Sequence, residues 1–418
     1  MLHKHVFRFA ARHRQRAALF LSCLCVLAFS LSMPLKTGAE SSGQASGTAG
    51  QDDAGTVLTG LTVVEAPAAF DCKSAVLMEA STGKLLYEQN PTEAMPPASV
   101  TKIMTLLLVM EAIDAGVLHW EDMVTTSAHA ASMGGSQIYL KEGEQMTVRD
   151  MVKSVVIASA NDAALALAEA VSGSEETFVN RMNQRAAELG MENTHFENTN
   201  GLDDTATNHV TSARDIAIMS RALIAHQEIL EYSSTWMDTV RDGAFGLTNT
   251  NRLVRFYRGC NGLKTGSTAK AGFCISVTAE REGMTLICVI MGAESRDIRN
   301  QAAAALLDWG FANYGLYTCP EGEPDPLRVT GGVVPQVRVS YPSFSCVLPR
   351  ADLSAVEMNL TLPESVAAPV RVGETVGSLS FTCRGEPLGE VCATASEASD
   401  KISFGGILLR LLARFLLV

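Results

Sequence analysis

A serine and a lysine three residues apart have the types and spacing of a nucleophile and its base. Ser99 and Lys102 follow two prolines, and the apolar run over 103–110 predicts a buried helix that begins there. A serine hydroxyl is a poor nucleophile unless an adjacent base removes its proton, and burial lowers the pKa of a lysine towards that role. The positive end of the helix would favour a developing oxyanion. Taken alone, the pair could also be a helix-capping serine beside a solvated lysine.

A second polar pair, Ser159 and Asn161, interrupts the apolar run over 155–164. Polar side chains in such a run are expected to point into a cavity, because burial without a partner is costly. The hydroxyl can relay a proton, and the asparagine amide can hold a peptide carbonyl. A helix cap on the alanine-rich segment that follows is the alternative.

The third group is Lys264, Thr265 and Gly266, followed by Ser267, at the edge of a predicted hairpin over 272–291. A strand with lysine and threonine offers a cation and a hydroxyl to a substrate carboxylate. Gly266 would leave room for a ligand to approach the backbone. Read singly, these residues could be an ordinary turn.

Two hairpins and a helical region would position these motifs. The first hairpin is predicted over 75–78 and 85–87, and the second over 272–278 and 285–291. Between them, apolar residues from 99 to about 225 recur with helical periodicity. Strands, then helices, then strands predict an α+β domain with an antiparallel sheet.

The pattern of apolar and polar residues changes after Cys319. A helix predicted over 298–311 would pack on the sheet before that point. Residues 329–392 form short alternating runs, with proline and glycine turns about every ten residues. This pattern predicts a small all-β sandwich, which contains no cluster of catalytic type.

Composition restricts the class of protein. The chain has 418 residues, a formal net charge of −12 and 47% hydrophobic residues, so it is globular and lacks the basic surface that nucleic acid requires. Ten cysteines include no C-x-x-C pair, which makes a zinc site an unfavoured prediction. Disulfides and buried free thiols both remain open for these cysteines.

The N-terminus has the pattern of an export signal. A basic segment precedes an apolar run over 17–35, and small residues at 37–39 predict cleavage before Glu40. An uncleaved membrane anchor is the alternative, since the apolar run is nearly as long as a short spanning helix.

The C-terminus carries a second membrane signal. Over 407–418, Arg410 and Arg414 would share one face of a helix and leucines would cover the rest. Such a helix is too short to span a bilayer, and we expect it to lie in the interface with its arginines towards the headgroups. Packing on its own domain is the alternative. The predicted organisation is a signal peptide (1–39), a flexible linker (40–61), a catalytic domain (62–318), a β-rich domain (319–395), and a polar linker with an amphipathic anchor helix (396–418).

Together, the three motifs resemble those of the low-molecular-mass penicillin-binding proteins, the serine-type D-alanyl-D-alanine carboxypeptidases of peptidase family S11. Ser99, Ser159 and Lys264 follow one another at intervals of 60 and 105 residues, in the order of that family's motif set. The resemblance extends from about Ala66 to the C-terminus. It implies a penicillin-binding/β-lactamase-like transpeptidase domain followed by the all-β domain.

The resemblance also implies a role for each motif. Ser99 would attack the carbonyl between two terminal D-alanines, and Lys102 would be its base. Ser159, assisted by Lys264, would pass the proton to the leaving D-alanine. Asn161 completes the implied catalytic set, and the implied substrate-binding residues are Thr265, Gly266, Ser267 and Arg299. Thr265 and Arg299 would hold the terminal carboxylate, and the backbone N–H groups of Ser99 and Ser267 would form the oxyanion hole.

The implied partners are peptidoglycan stem peptides ending in D-Ala-D-Ala, β-lactam antibiotics as covalent inhibitors, and a membrane surface at the C-terminal helix. No metal, organic cofactor or nucleic acid is expected. The implied location is the outer face of the cytoplasmic membrane. A β-lactamase and a non-enzymatic β-lactam sensor are the alternatives. The first lacks a clear deacylating glutamate in the 197–202 loop, and the complete motif set counts against the second.

Overall fold

The computed structural model describes residues 60–204 and 206–416, without the side chain of Arg414. The predicted signal peptide and residues 40–59 of the predicted linker lie outside the described residues. In chain order, the elements of the first part are β1 (Ser74–Glu79), β2 (Leu85–Gln89), α1 (Lys102–Asp114), β3 (Met123–Thr125), α2 (Ala128–Ala131), β4 (Gln145–Thr147), α3 (Val148–Ile157), α4 (Asn161–Ser172), α5 (Glu175–Glu188), α6 (Ala213–Ile224), α7 (Glu228–Ser233), β5 (Met237–Val240), β6 (Phe245–Thr248), α8 (Leu253–Phe256), β7 (Cys260–Thr268), β8 (Gly272–Arg281), β9 (Met284–Ala293) and α9 (Arg296–Asn313).

A five-stranded antiparallel sheet organises this part, in the order β2-β1-β9-β8-β7. Both predicted hairpins are confirmed, as β1 with β2 and as β8 with β9. The helix predicted over 298–311 is confirmed within α9. The helical periodicity after 99 corresponds to α1 to α6, but it did not predict the small β3–β4 hairpin, whose three-residue strands are too short to interrupt the apolar pattern.

The sheet has an apolar cluster on each face. Successive residues of a strand point to opposite faces, so Val76 and Met78 join the cluster with the central helices, while Ala75 and Leu77 join the cluster with α9. Helix α1 is buried almost all round, as predicted for the run over 103–110. Each such fully buried large side chain contributes about 1.5–3 kcal/mol to folding. These two layers hold α1 and β7, which carry two of the three motifs.

The chain after α9 is mostly β structure. Its elements are β10 (Tyr314–Cys319), β11 (Leu327–Thr330), β12 (Gln336–Val337), β13 (Val339–Ser340), β14 (Phe344–Pro349), β15 (Val356–Thr361), β16 (Ser365–Ala367), β17 (Thr375–Cys383), β18 (Glu386–Ala395) and α10 (Phe404–Leu416). A three-stranded sheet and a four-stranded sheet share an apolar core of valine, leucine and alanine side chains. The predicted all-β texture is present, and the predicted domain limits stay a prediction.

The C-terminal helix is largely exposed. Its large apolar side chains are exposed, by 44% at Ile407 and 82% at Phe415, so it is not packed on its own domain. Arg410, however, donates hydrogen bonds to the carbonyl oxygens of Gly332 and Val333, because the loop that contains them lies beside the helix. Arg410 therefore has protein partners, and the expectation that it faces headgroups stays a prediction. Among the described residues, no helix is long and apolar enough to cross a bilayer.

The eight described cysteines all carry free thiols, so the sequence's open choice between disulfides and free thiols falls to free thiols. Cys274 and Cys288 are buried in β8 and β9, inside the apolar runs where the sequence has them. No group of three potential metal ligands occurs within 60–204 and 206–416.

A loop over 198–202 packs against the short 3₁₀ helix Ala98–Thr101 that contains Ser99. Asn198 shapes this loop by accepting hydrogen bonds from the backbone N–H groups of Asn200 and Gly201. Gly201 has a φ of +84°, and a Cβ atom there would lie 1.8 Å from the carbonyl oxygen of Ala98. Only glycine allows this approach.

Gly201→Ala should therefore destabilise the protein by more than the backbone conformation alone requires. The control is Gly190→Ala, at φ +75° with no atom within 4 Å of the new Cβ. We expect the control to cost about 1–2 kcal/mol for the left-handed conformation, and Gly201→Ala about 1–3 kcal/mol more for the clash. Urea unfolding measures both, and equal losses would show that the loop does not pack as described.

Candidate active site

Ser99 and Lys102 meet at the start of α1. Ser99 lies in the 3₁₀ helix, and the preceding Ala98 has a φ of +50°, an uncommon conformation for a residue with a side chain. Lys102 begins α1 and is fully buried. Its Nζ lies 2.9 Å from the Oγ of Ser99 and 2.9 Å from the carbonyl oxygen of Asn200. The lysine is therefore not solvated, which removes the first alternative for this pair.

Ser159 and Asn161 lie at the junction between α3 and α4. Ser159 has a φ of +63°, and this left-handed turn separates the two helices. Its hydroxyl accepts a hydrogen bond of 2.8 Å from the Nζ of Lys264. Ala160 is the N-cap residue of α4 and makes no side-chain cap. The alternative that this polar pair caps the helix is therefore wrong.

The amide of Asn161 has one occupied end and one free end. Its Nδ2 donates to the carbonyl oxygen of Gly134 at 2.7 Å, and this fixes the orientation, since a carbonyl can only accept. Its Oδ1 is buried and has no hydrogen-bond partner among the described residues. The free atom is thus an acceptor. Oδ1 is suited to a substrate N–H, and the second N–H of Nδ2 can still donate to a peptide carbonyl, so the predicted role of this amide stays a prediction.

Strand β7 brings the third motif to the open edge of the sheet. Lys264 is 1% exposed, and besides Ser159 its Nζ reaches the carbonyl oxygen of Thr265 at 2.9 Å. The hydroxyl of Thr265 donates to that of Thr250 at 2.7 Å. A Cβ at Gly266 would lie 2.8 Å from the backbone nitrogen of Ser99. The absence of a side chain at Gly266 thus lets β7 lie close to the 3₁₀ helix, and the expectation that a ligand approaches the backbone there stays a prediction.

Two lysines are therefore buried side by side. Burial lowers the pKa of Lys102 well below its usual value, the charge of Lys264 lowers it further, and Asp162 opposes the shift. Burial also lowers the pKa of Lys264 to about 7, with a further contribution from Arg299. The carboxylate of Asp162 accepts hydrogen bonds from backbone N–H groups, including those of Ile138 and Leu140, and from neither lysine. A neutral amine beside a serine hydroxyl is the arrangement that can accept its proton.

Arg299 lies in the first turns of α9 and is 2% exposed. Its guanidinium donates to the carbonyl oxygen of Cys274 at 3.2 Å and to the side chain of Asn300 at 2.8 and 3.1 Å. Burial lowers its pKa to about 10, and the neighbouring Arg296 and Arg252 lower it through like charge. The guanidinium has no ion pair among the described residues. An anionic ligand would therefore offset the free-energy cost of burying its charge.

One cavity of about 620 Å³ connects most of these groups. Ser99, Ser159, Thr265, Gly266, Ser267 and Arg299 line it, and the Nζ atoms of Lys102 and Lys264 contact the hydroxyls of Ser99 and Ser159. Further residues of this site lie in segments without a recognised motif, so the sequence did not predict them. They are Ser136, Asn200, Trp236, Thr248, Asn249, Thr250, Arg252, Phe256, Phe273 and Arg296.

Comparison with known proteins gives the family. A family model described as D-alanyl-D-alanine carboxypeptidase, Peptidase S11, matches residues 61–295. The D-alanyl-D-alanine carboxypeptidase DacF of Bacillus subtilis is 41% identical over 351 residues, which cover 80% of this chain and 88% of DacF. The chain belongs to this family.

Solved structures support the same assignment. Penicillin-binding protein 5 from Haemophilus influenzae is 30% identical and superposes with a TM-score of 0.70, covering 81% of this chain and all of that one. Penicillin-binding protein D2 from Listeria monocytogenes, in its ampicillin-bound form, is 33% identical with a TM-score of 0.54, covering 59% of this chain. The S11 resemblance, the α+β transpeptidase fold and the serine carboxypeptidase class predicted from the sequence are thereby confirmed.

The lowered pKa of Lys264 gives this S11 carboxypeptidase a testable dependence of stability on pH. Between about pH 7 and 10.5 the unfolded chain binds a proton on this lysine that the folded chain does not. Stability therefore rises with pH in that window. From pH 7 to 9 we expect the wild-type free energy of unfolding to increase by about 2 kcal/mol relative to Lys264→Met.

Urea unfolding at pH 7, 8 and 9 measures this difference. Lys270→Met is the matched control, because it removes an exposed ammonium from the same edge of the sheet and should follow the wild-type curve. Parallel curves for wild type and Lys264→Met would contradict the lowered pKa.

Proposed function

We propose that this chain removes the terminal D-alanine from peptidoglycan stem peptides through an acyl-enzyme on Ser99. The observation that carries the proposal is the 2.9 Å contact between the Oγ of Ser99 and the buried Nζ of Lys102. A serine next to a neutral, desolvated amine is an activated nucleophile. Metal and cofactor chemistry have no part in the proposed steps.

Acylation begins when the neutral Nζ of Lys102 takes the proton of Ser99 as its Oγ attacks the penultimate D-alanine carbonyl. The backbone N–H groups of Ser99 and Ser267 would donate to the resulting oxyanion. The free Oδ1 of Asn161 would accept the N–H of the substrate peptide and hold the carbonyl carbon above Ser99.

The tetrahedral intermediate then collapses. Its C–N bond breaks, and the leaving nitrogen takes a proton from the hydroxyl of Ser159. Lys264 supports this transfer, because its Nζ lies 2.8 Å from that hydroxyl and its pKa of about 7 lets it give or take a proton near neutral pH. Water then hydrolyses the ester on Ser99 and restores the hydroxyl.

The terminal carboxylate would bind between Arg299 and Thr265. Arg299 uses three of its five N–H groups inside the protein, so one on each terminal nitrogen is left for the substrate. The hydroxyl of Thr265 would turn from Thr250 to the carboxylate, with Thr250 then acting as its donor. A buried cation without a counter-ion favours a substrate with a free carboxylate, as a carboxypeptidase requires.

A β-lactam would acylate the same serine. The ampicillin-bound form of the Listeria relative supports this, since that protein is 33% identical to the present chain over 59% of its length. Against a class A β-lactamase, the candidate Glu197 is engaged elsewhere: its carboxylate accepts hydrogen bonds from Thr207 and Asn208. No acidic residue lines the described cavity.

We also propose that the enzyme works outside the cytoplasm at the outer face of the cytoplasmic membrane. The substrate lies outside the cytoplasm, and the exposed leucines and phenylalanines of α10 form an apolar surface suited to a lipid interface. The predicted signal peptide would export the chain.

Ser99→Ala tests the catalytic proposal. We expect loss of D-alanine release from a diacyl-L-Lys-D-Ala-D-Ala tripeptide by at least about 10³-fold and loss of the penicilloyl adduct in mass spectrometry, because no other hydroxyl contacts Lys102. Ser380→Ala, which removes a partly exposed serine hydroxyl of β17, is the control and should retain both.

The wild-type enzyme distinguishes the alternatives in the same assays. Rapid penicillin hydrolysis without D-alanine release would indicate a β-lactamase. A stable adduct without either turnover would indicate a sensor. Retained activity in Ser99→Ala would contradict the assigned nucleophile.

A chain that ends at Ser403 tests the membrane proposal. It lacks α10, and with it the hydrogen bonds of Arg410, but it keeps the backbone hydrogen bonds of residues 399–402 with the neighbouring loops. We expect loss of sedimentation with anionic vesicles and unchanged tripeptide turnover. Unchanged sedimentation would contradict the anchor.

A further inference from the structure

Three arginines, Arg252, Arg296 and Arg299, line the same cavity as Thr265. They are close enough for Arg252 and Arg296 to contribute to the lowered pKa of Arg299. Arg252 and Arg296 are exposed, and neither side chain makes a hydrogen bond or ion pair with another described residue.

Other arginines of the catalytic region do have carboxylate partners. Five arginines of that region pair with carboxylates: Arg149, Arg185, Arg214, Arg241 and Arg281. The chain carries a net charge of −12, so carboxylates are abundant. Arg296 also lies in the first turn of α9, where the helix dipole disfavours a cation. Within the described chain, Arg252 and Arg296 therefore lack a counter-ion beside a third cation, Arg299. A bound anion would reduce the repulsion between these three charges.

One substrate carboxylate cannot occupy all three guanidinium groups. A carboxylate accepts about four hydrogen bonds. Arg299 supplies two N–H groups and Thr265 one hydroxyl, which leaves at most one position. The leaving D-alanine has only a methyl side chain, so it brings no second anion to Arg252 and Arg296.

We propose that Arg252 and Arg296 form an anion subsite for a second carboxylate on the leaving-group side of the scissile bond. This rests on the proposed function, in which Arg299 and Thr265 hold the first carboxylate. The second carboxylate has two possible sources: an acidic side chain on a single leaving D-residue, or the second stem peptide of a cross-link.

The neighbouring surface suits a leaving group larger than D-alanine. Phe256 is 73% exposed and lines the same cavity, with Trp236 against it at a ring-centroid distance of 6.3 Å. Arg255 lies over both rings, which leaves Arg252 as the cation of this segment that faces the cavity. The chemistry is unchanged: the C–N bond breaks, the ester on Ser99 forms, and the leaving amine takes the proton.

The first arm of the test uses diacyl-L-Lys-D-Ala-X peptides in which X is D-Ala, D-Gln or D-Glu. D-Gln and D-Glu have the same shape and differ in charge. For the wild-type full chain we expect kcat/KM for D-Glu to exceed that for D-Gln by about tenfold, the effect of one charged hydrogen-bonded pair. The Arg252→Gln/Arg296→Gln double variant should reduce this ratio to about one.

D-Ala release by the same double variant should fall by a smaller factor than D-Glu release, because D-Ala brings no second carboxylate to these arginines. Arg328→Gln, which removes an exposed arginine of β11, is the control and should change no substrate. Loss of D-Ala and D-Glu turnover by the same factor would overturn the subsite and assign both arginines to the terminal carboxylate.

The second arm uses a cross-linked stem-peptide dimer and measures monomer release. Dependence on Arg252 and Arg296 in this arm alone would identify the cross-link as the source, and dependence in the D-Glu arm alone would identify an acidic side chain. Independence in both arms overturns the proposal. Failure of the proposed function is distinct, since the wild-type enzyme would then release no D-Ala.

Discussion

The active site depends on two lysine amines that are buried together without a hydrogen-bonded carboxylate. Each reaches one serine hydroxyl, Lys102 to Ser99 and Lys264 to Ser159. Two ammonium groups in this position would repel each other and lose their hydration, so both favour the neutral form. Asp162, whose charge is held by backbone N–H groups, moderates this effect without pairing. Among the described residues, no carboxylate pairs with Lys102 or Arg299. Lys102 can therefore act as a base, and Arg299 can bind the carboxylate of a substrate.

The backbone around these groups is held in conformations that only a packed fold maintains. Ala98 and Ser159 both have positive φ values, and each adjoins a catalytic side chain. Gly201 and Gly266 let the 198–202 loop and β7 approach the 3₁₀ helix at distances that a side chain would prevent. Strain of this kind at a site is stabilised by the surrounding core, here the two apolar layers on the central sheet.

Much of the fold was predictable because strong local patterns coincide with its elements. The two hairpins, the buried helix after Ser99 and the helix α9 all follow from apolar periodicity. The three motifs predicted the residues, but not their contacts: the role of Gly266 against Ser99 and the orientation of Asn161 depend on segments distant in sequence. Asn200 acts through its backbone carbonyl, which carries no sequence signal. Arg252 and Arg296 are ordinary surface residues until the fold brings them to one cavity.

The protonation state of the buried lysines is measured most directly by NMR titration of lysine side chains labelled with ¹³C at Cε, assigned with Lys102→Arg and Lys264→Met variants. The arrangement of the site predicts a midpoint near pH 7 for Lys264 and a midpoint for Lys102 well below 10.5. Midpoints at the ordinary lysine value for both would contradict it, since neither amine could then take a proton from a serine at neutral pH.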